Sequence, residues 1–394
     1  MKIPPLHKQM FVPFDEDYES LHYSPFDNWT SEEKSEILSS LTDPTINKAV
    51  GALMGMVLGD TMGAPLEFLS VAKQGQSYYN PQDQTFIKSK NKFRLKKGQW
   101  TDDASMGLCI ADSLLFCQGY DGADIRRRFW QWWEHGYNNG FRFDTSRWST
   151  HSVGLGMNIS KSLQSMQKEP IDPIYVPIKE NNDSGNGSLM RLAPIPIYFS
   201  NQLDLTQEYS IQSSLTTHPG ITASDACSFL GYVIASAIHT EHTSIQDFLD
   251  DMISQWIVNV RDEPLKMLLQ NTASPDSTES FWRWKDAEID IVKTLTIRGQ
   301  RYNGYPVSSG YFFSYSLDAL ALSLHCLYST KTPMDAIHKA INFLGDADST
   351  GSITGQIAGA FYGYDQLDKT WIESIHQWAN HDIELRGILL HLKL

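Results

Sequence analysis

Residues 345–363 read GDADSTGSITGQIAGAFYG. Asp346 and Asp348 sit one residue apart, and Ser349 follows them. The run behind them is built from small residues: Gly351, Ser352, Thr354, Gly355, Ala358, Gly359 and Ala360. Each glycine costs a helix roughly 1 kcal/mol against alanine. Such a helix makes sense where backbones approach closely, among other helices. A calcium loop of the EF-hand type would need a glutamate at its twelfth position. Counted from Asp346, that position is Ile357. The aspartates therefore read as helix-capping acids or as ligands, and a buried helix has no need of two acids at its mouth for solubility.

A second acidic stretch, GQWTDDASMGLCIADSLL, occupies 98–115. Thr101 stands where a helix N-cap belongs, and Asp102 and Asp103 fall in the first turn. The helix dipole favours negative charge there, so capping explains this stretch on its own. The two stretches gain meaning together. Carboxylates about 4 Å apart repel by on the order of 4 kcal/mol per pair at an effective dielectric of 20. Cations make four of them at one site tolerable. Carboxylates with hydroxyls from Thr101 and Ser349 suit Mg²⁺ or Mn²⁺ rather than zinc. The spacing itself does not bring the two stretches together.

The surrounding text is helical. Ile46, Val50, Leu53, Met54, Val57 and Leu58 recur at helical spacing. So do 103–118, 123–135, 222–240, 317–329, 335–345 and 352–363. Strand candidates are few and short, such as 172–178. Loops rich in Gly, Asn and Lys lie at 74–100, 136–150 and 180–188. This pattern predicts one large all-α domain over 46–394 with function carried on loops.

Composition narrows the function classes. The chain has 394 residues, 41% of them hydrophobic, and a net charge of -14. An acidic surface argues against nucleic acid as a partner. The four cysteines form no C-x-x-C pair, which fits a reducing cytoplasm. No stretch of 18 uninterrupted apolar residues points to a membrane span. Residues 1–45 differ from the rest. Met1 to Glu36 hold eight acidic and three basic residues. Phe11, Phe14, Tyr18, Tyr23, Phe26 and Trp29 are aromatic anchors for the protein's own body or for a partner. Thr30 or Ser31 caps a short helix running through Leu41.

Six segments in order carry a resemblance: GALMGMVLGDTMGAPLEF (51–68), WTDDASM (100–106), GNGSLMRLAPI (185–195), TTHPGITASDACSFLGYVIA (216–235), SSGYFFSYSLDALALSL (308–324) and the opening stretch. The chain resembles the ADP-ribosylglycohydrolase family, which includes the dinitrogenase-reductase-activating glycohydrolases. The resemblance spans about four-fifths of the sequence. It implies an orthogonal all-α bundle of about a dozen helices around two Mg²⁺ or Mn²⁺ ions. Thr101, Asp102, Asp103, Asp346, Asp348 and Ser349 match the metal motifs. Asp102, Asp103, Asp348 and Glu67 match acids placed for catalysis. Gly185, Asn186, Gly187 and Ser188 match a loop that holds ADP-ribose, and His218 a histidine lining the ligand.

For His218 a capping or core role stays open, for Arg191 a structural ion pair, and Asp60 reads equally as structural or catalytic. Ala104 departs from the usual threonine of the first motif, which removes a hydroxyl near the metals. The implied activity is metal-assisted hydrolysis of ADP-ribose from modified protein. The Gly-Asp-x-Asp-Ser form resembles arginine-specific members; serine-linked ADP-ribose is the other linkage. Some bacterial relatives neutralise ADP-ribosyltransferase toxins. That implies a second role, in which residues 1–45 occlude such a toxin, and a third, plain ADP-ribose binding.

Overall fold

A computed structural model describes residues 3–6, 24–71, 92–147, 149, 151–166, 171–177, 183–303 and 305–394. Among them are sixteen α-helices: α1 (Ser31–Leu38), α2 (Pro44–Gly63), α3 (Asp102–Cys117), α4 (Gly122–His135), α5 (Met157–Ser165), α6 (Pro194–Tyr198), α7 (Leu203–Leu215), α8 (Ile221–His239), α9 (Ile245–Trp256), α10 (Glu263–Leu269), α11 (Ile291–Arg298), α12 (Ser316–Tyr328), α13 (Pro333–Ile341), α14 (Ala347–Tyr362), α15 (Lys369–Ala379) and α16 (Asp382–Leu392). The only sheet among the described residues pairs Arg301–Tyr302 with Tyr305–Pro306. The all-α expectation holds, with more helices than the dozen expected because several are short, at five to nine residues.

Helices α2 and α14 form the centre, and glycine sets their contact. An added Cβ on Gly51, Gly55, Gly59 or Gly63 would lie 2.3, 2.1, 2.1 and 2.4 Å from the carbonyl oxygens of Gly359, Gly355, Gly351 and Ala347. The partner positions fall as the α2 positions rise, so the helices run antiparallel. Spacing by four residues keeps one glycine per turn on the shared face. The small residues of 351–360 thus serve the close approach that their composition suggests. Antiparallel packing also brings the C-terminus of α2 to the N-terminus of α14.

Two helices, Pro44–Leu66 with its short 3₁₀ extension and Ile221–His239, are long and apolar enough to cross a membrane. Both are buried inside the bundle. They are core helices, wrapped by α3, α12, α13 and α16.

One expectation needs correction, and for another the structure chooses between alternatives. Residues 171–177 form no strand; Tyr175 N–H instead donates to the Leu215 carbonyl at 2.8 Å, tying this segment to the end of α7. Residue 178 lies outside the described residues. The choice concerns the aromatic N-terminal segment, expected to anchor on the protein's own body or on a partner. Phe26 is fully buried and Trp29 nearly so, edge to face with centroids 5.0 Å apart. The Trp29 indole donates to the Pro5 carbonyl at 3.2 Å. These two rings are committed to the protein's own core, not to a partner. Phe11, Phe14, Tyr18 and Tyr23 lie outside the described residues. Thr30 caps α1 in a reciprocal capping box with Glu33, as its sequence predicts.

The α2–α14 contact yields a direct test. Gly55→Val should cost at least the roughly 1–3 kcal/mol of an overpacked core, because backbone on α14 cannot retreat. Gly119→Ala has nothing within 4 Å of the added Cβ and should be neutral. Chemical denaturation of both variants checks this, and equal midpoints would contradict the close packing.

Candidate metal centre

The N-terminus of α3 does not cap itself. Thr101 occupies the N-cap position, but its side chain accepts no bond from the helix. Asp60, on α2, does that work from across the bundle. Its carboxylate accepts from Thr101 N–H at 3.0 Å, Ala104 N–H at 2.9 Å and the Thr101 hydroxyl at 2.8 Å. Asp346 stands at the N-cap of α14 and likewise makes no side-chain cap. The capping reading of both acidic stretches therefore fails. Asp346 instead accepts from Asn186 Nδ2 at 3.0 Å.

The released carboxylates converge. Asp60, Asp103 and Asp348 each place an oxygen within 4.8 Å of the others; so do Glu67, Asp346 and Asp348. Asp348 belongs to both groups. Asp102 belongs to neither, and faces the loop at 151–156 beside them. Gly154 lies so close, with φ +90°, that an added Cβ would fall 1.8 Å from Asp102 Oδ1. Thr101 Oγ1 is 3.3 Å from Asp103 Oδ2 and 3.5 Å from Asp348 Oδ2. The Ser349 hydroxyl turns away, toward Met190 Sδ at 3.6 Å, while its N–H donates to Asp348 Oδ1 at 2.9 Å.

Among the described residues, none of these six acids is in an ion pair. Burial pushes Glu67, Asp102, Asp103 and Asp348 well above the ordinary carboxylate range, and repulsion from neighbouring carboxylates adds to it. Asp60 rises to about 6 through burial, opposed by its bonds to Ala104 and Thr101. Asp103 Oδ1 and Glu67 Oε2 are buried and accept no hydrogen bond. Oxygen-only donors, surplus negative charge and two unsatisfied oxygens fit hard divalent cations.

The loops around the acids are held under strain. Phe68, Phe313 and Leu344 have φ of 66°, 80° and 67°. Their segments brace one another: Phe68 N–H donates to the Gly345 carbonyl and Gly345 N–H to the Leu69 carbonyl, both at 2.9 Å, and Asp346 N–H to the Phe312 carbonyl at 3.0 Å. Such conformations persist only where surroundings over-determine them. Here they fix Glu67 and Asp346 against Asp348.

The 185–188 loop abuts this centre. Asn186 ties it to Asp346 and, at 3.0 Å, to the Phe313 carbonyl. Ser188 points into the bundle, where its oxygen accepts from Ser214 at 2.9 Å. Gly185 and Gly187 leave room for the His218 ring; a Cβ on Gly187 would lie 2.9 Å from His218 Cε1.

Arg191 is fully buried and, contrary to the ion-pair reading, donates to hydroxyls: Thr217 at 2.6 Å and Thr216 at 3.2 Å. Its guanidinium also lies 4.4 Å from the Phe129 ring centroid. A guanidinium only donates. Thr217 Oγ1 accepts from Arg191, which leaves its O–H to donate a hydrogen bond to His218 Nδ1, 2.7 Å away. Burial, then Arg191, holds the His218 pKa down to about 3. His218 is a neutral ring with its proton on Nε2, facing Gly185 and Gly187.

Asp60 and Thr217 are the residues that sequence reasoning left unassigned. Asp60 had a signal: it is the lone charged residue between Ala49 and Leu66. Thr217 had none, because its role exists only through Arg191.

With this geometry in hand, the comparisons with known proteins are decisive for kinship. The chain matches the ADP-ribosylglycohydrolase family over residues 41–392. It belongs to that family. It is 28% identical to an ADP-ribosylarginine hydrolase of Serratia proteamaculans, over 84% of this chain and 76% of that protein. It is 27% identical to an ADP-ribosylarginine hydrolase of Pseudomonas putida, over 86% of this chain and 76% of that one. A more distant relative, at 23% identity over 87% and 95% of the two chains, is the ADP-ribosyl dinitrogen reductase glycohydrolase of Rhodospirillum rubrum. Among solved structures, an ADP-ribosylglycohydrolase-related protein complex aligns with a TM-score of 0.63 at 22% identity, covering 89% of this chain and 98% of that one, which shows the shared fold.

The raised carboxylate pKa values carry a sign. In these five acids the folded state holds protons that the unfolded chain has released above about pH 4. Their contribution to the stability of the metal-free protein therefore falls as pH rises from about 4 through 6 and beyond. Cation binding requires the deprotonated forms. Saturating Mg²⁺, at about a hundred times its Kd, should stabilise by about 2.7 kcal/mol near pH 8 and by much less at pH 5. Thermal melts with Mg²⁺ and with EDTA test this; an equal Mg²⁺ shift at both pH values would contradict it.

Proposed function

We propose that this protein hydrolyses the bond between ADP-ribose and a modified arginine side chain, using two Mg²⁺ or Mn²⁺ ions held by five of these acids. The observation that carries the reading is Asp348, which is shared by two three-carboxylate groups and so stands where a ligand bridging two ions would stand. The two relatives named as ADP-ribosylarginine hydrolases support the linkage. Bound cations would supply Lewis-acid polarisation of the attacking water and the ribose hydroxyls.

The chain's own residues do the rest. Asp60, Asp103 and Asp348 would hold one ion, and Glu67, Asp346 and Asp348 the other. In the reaction the ribose–guanidine C–N bond breaks, a C–O bond to water forms, and a proton from that water ends on the departing nitrogen. Of the acids expected to act in catalysis (Asp102, Asp103, Asp348 and Glu67), Asp102 belongs to neither ion-holding group and so is left to accept and return that proton. Protonation matters because a guanidine leaves badly without it. Asn186 keeps the 185–188 loop against Asp346, and His218 Nε2–H offers a donor to the ligand on that loop. The same site without turnover would be an ADP-ribose binder, and the assay separates the two.

Asp348→Asn should lower the rate of ADP-ribose release from an arginine-modified protein by on the order of 10²–10⁴. Chromatographic detection of free ADP-ribose with Mg²⁺ present reads the outcome. Absence of release by the wild-type chain, with Mg²⁺ and ADP-ribose both bound, would reduce the protein to a binder.

A further inference from the structure

A second group of metal-ligating side chains sits outside the acidic centre, at the corner between α15 and α16. His376 lies in the last turn of α15, His381 at the N-cap of α16 and Glu384 in its first turn. One donor atom from each lies within 4.8 Å of the other two. His376 Nε2 and His381 Nδ1 both address Glu384 Oε1, the second at 3.4 Å. The two imidazole centroids are 4.2 Å apart. Asn380, between the helices, takes φ +49° and turns the chain so that His381 comes back onto Glu384.

An ordinary His–Glu pair does not account for this arrangement. One histidine would suffice for a pair, yet two imidazoles and the Tyr364 hydroxyl, at 2.9 Å, crowd a single oxygen. The other oxygen, Glu384 Oε2, is buried with no partner. Glu384 is fully buried, and among the described residues its ion-pair partners are these two histidines alone. A fully buried carboxylate is costly without compensating positive charge, which a cation can supply. His376 and His381 are 22% and 51% exposed in their side chains, so a solvent path reaches the group.

We propose that His376, His381 and Glu384 form a second metal site, for a borderline divalent ion of the zinc class. Two imidazoles, one carboxylate and an open fourth position make a common zinc donor set. Tyr364 orients the carboxylate from behind. This donor set differs in kind from the oxygen-only centre, so the two sites select different ions. An ion here would pin α16 to α15 and to the Tyr364 turn, and the proposal does not depend on the hydrolase reading.

The test uses the full-length, tag-free protein, stripped with EDTA and then kept in saturating Mg²⁺ so that the acidic centre is filled. Zn²⁺ alone is titrated against a chromophoric chelator at pH 7.5, for the wild type and for His381→Ala. His381 is half exposed, so the variant should fold and keep its basal activity. The wild type is expected to hold Zn²⁺ more tightly than the variant by on the order of tenfold or more. At pH 5.5, where protons compete for the imidazoles, that difference should vanish. Identical Zn²⁺ stoichiometry and affinity in both proteins at pH 7.5 would overturn the proposal and leave the triad as a proton-holding ion pair.

Discussion

The contact between α2 and α14 governs this molecule. Glycine meets backbone once per turn along that face, at separations no side chain fits. Close packing without side chains leaves little freedom to slide. A slip of one turn, about 5.4 Å, would carry Asp60 out of reach of Asp348. The antiparallel arrangement also decides which ends meet. The C-terminus of α2, leading to Glu67, lies beside the N-terminus of α14, leading from Asp346. The acidic centre is thus a consequence of helix register.

What gathers at that end is electrostatically unfavourable in isolation. Five acids converge with Asp102 beside them, and none of the six is in an ion pair among the described residues. Part of the cost is offset by geometry, because α3 and α14 both aim their N-termini at the site, and helix N-termini favour negative charge. Asp60 makes this concrete, since its carboxylate replaces a local cap and bonds the first amides of α3. The remainder is left to protons or cations. The strained loops at Phe68, Phe313 and Leu344 fit the same account. Their conformations are held by bonds between the loops that carry the acids, so stability is given up locally where ligands must be positioned.

Much of this was legible in the sequence, and the reasons are specific. Helical periodicity located α3, α4, α8, α12 and α14 to within a residue or two at most ends. The glycine-rich run of 351–360 announced a close helix contact, though not its partner. The matching glycines at 51, 55, 59 and 63 are spaced by four, yet nothing local says that they face α14. Asp103, Asp346 and Asp348 stood out in the two acidic stretches as candidate ligands, but their convergence did not, nor did the turning of the Ser349 hydroxyl toward Met190. Capping was the natural local explanation for both stretches, and it failed because Asp60 supplies the cap from a distant helix. Phe26 and Trp29 read as anchors for the protein's own body or for a partner, and an acidic, proline-broken context could not choose between the two; burial in the core does. Arg191 invited an ion pair; hydroxyls and an aromatic face took its place, and with them came the tautomer of His218.

The central claim is that carboxylates from three helices form one site for two ions, with Asp348 shared between them. Electron paramagnetic resonance of the Mn²⁺-loaded protein addresses it most directly. Two Mn²⁺ ions sharing a carboxylate couple magnetically. At full loading the account predicts a spin-coupled pair, reverting to the spectrum of an isolated ion in Asp348→Asn. An isolated six-line Mn²⁺ signal from the fully loaded wild type would contradict it.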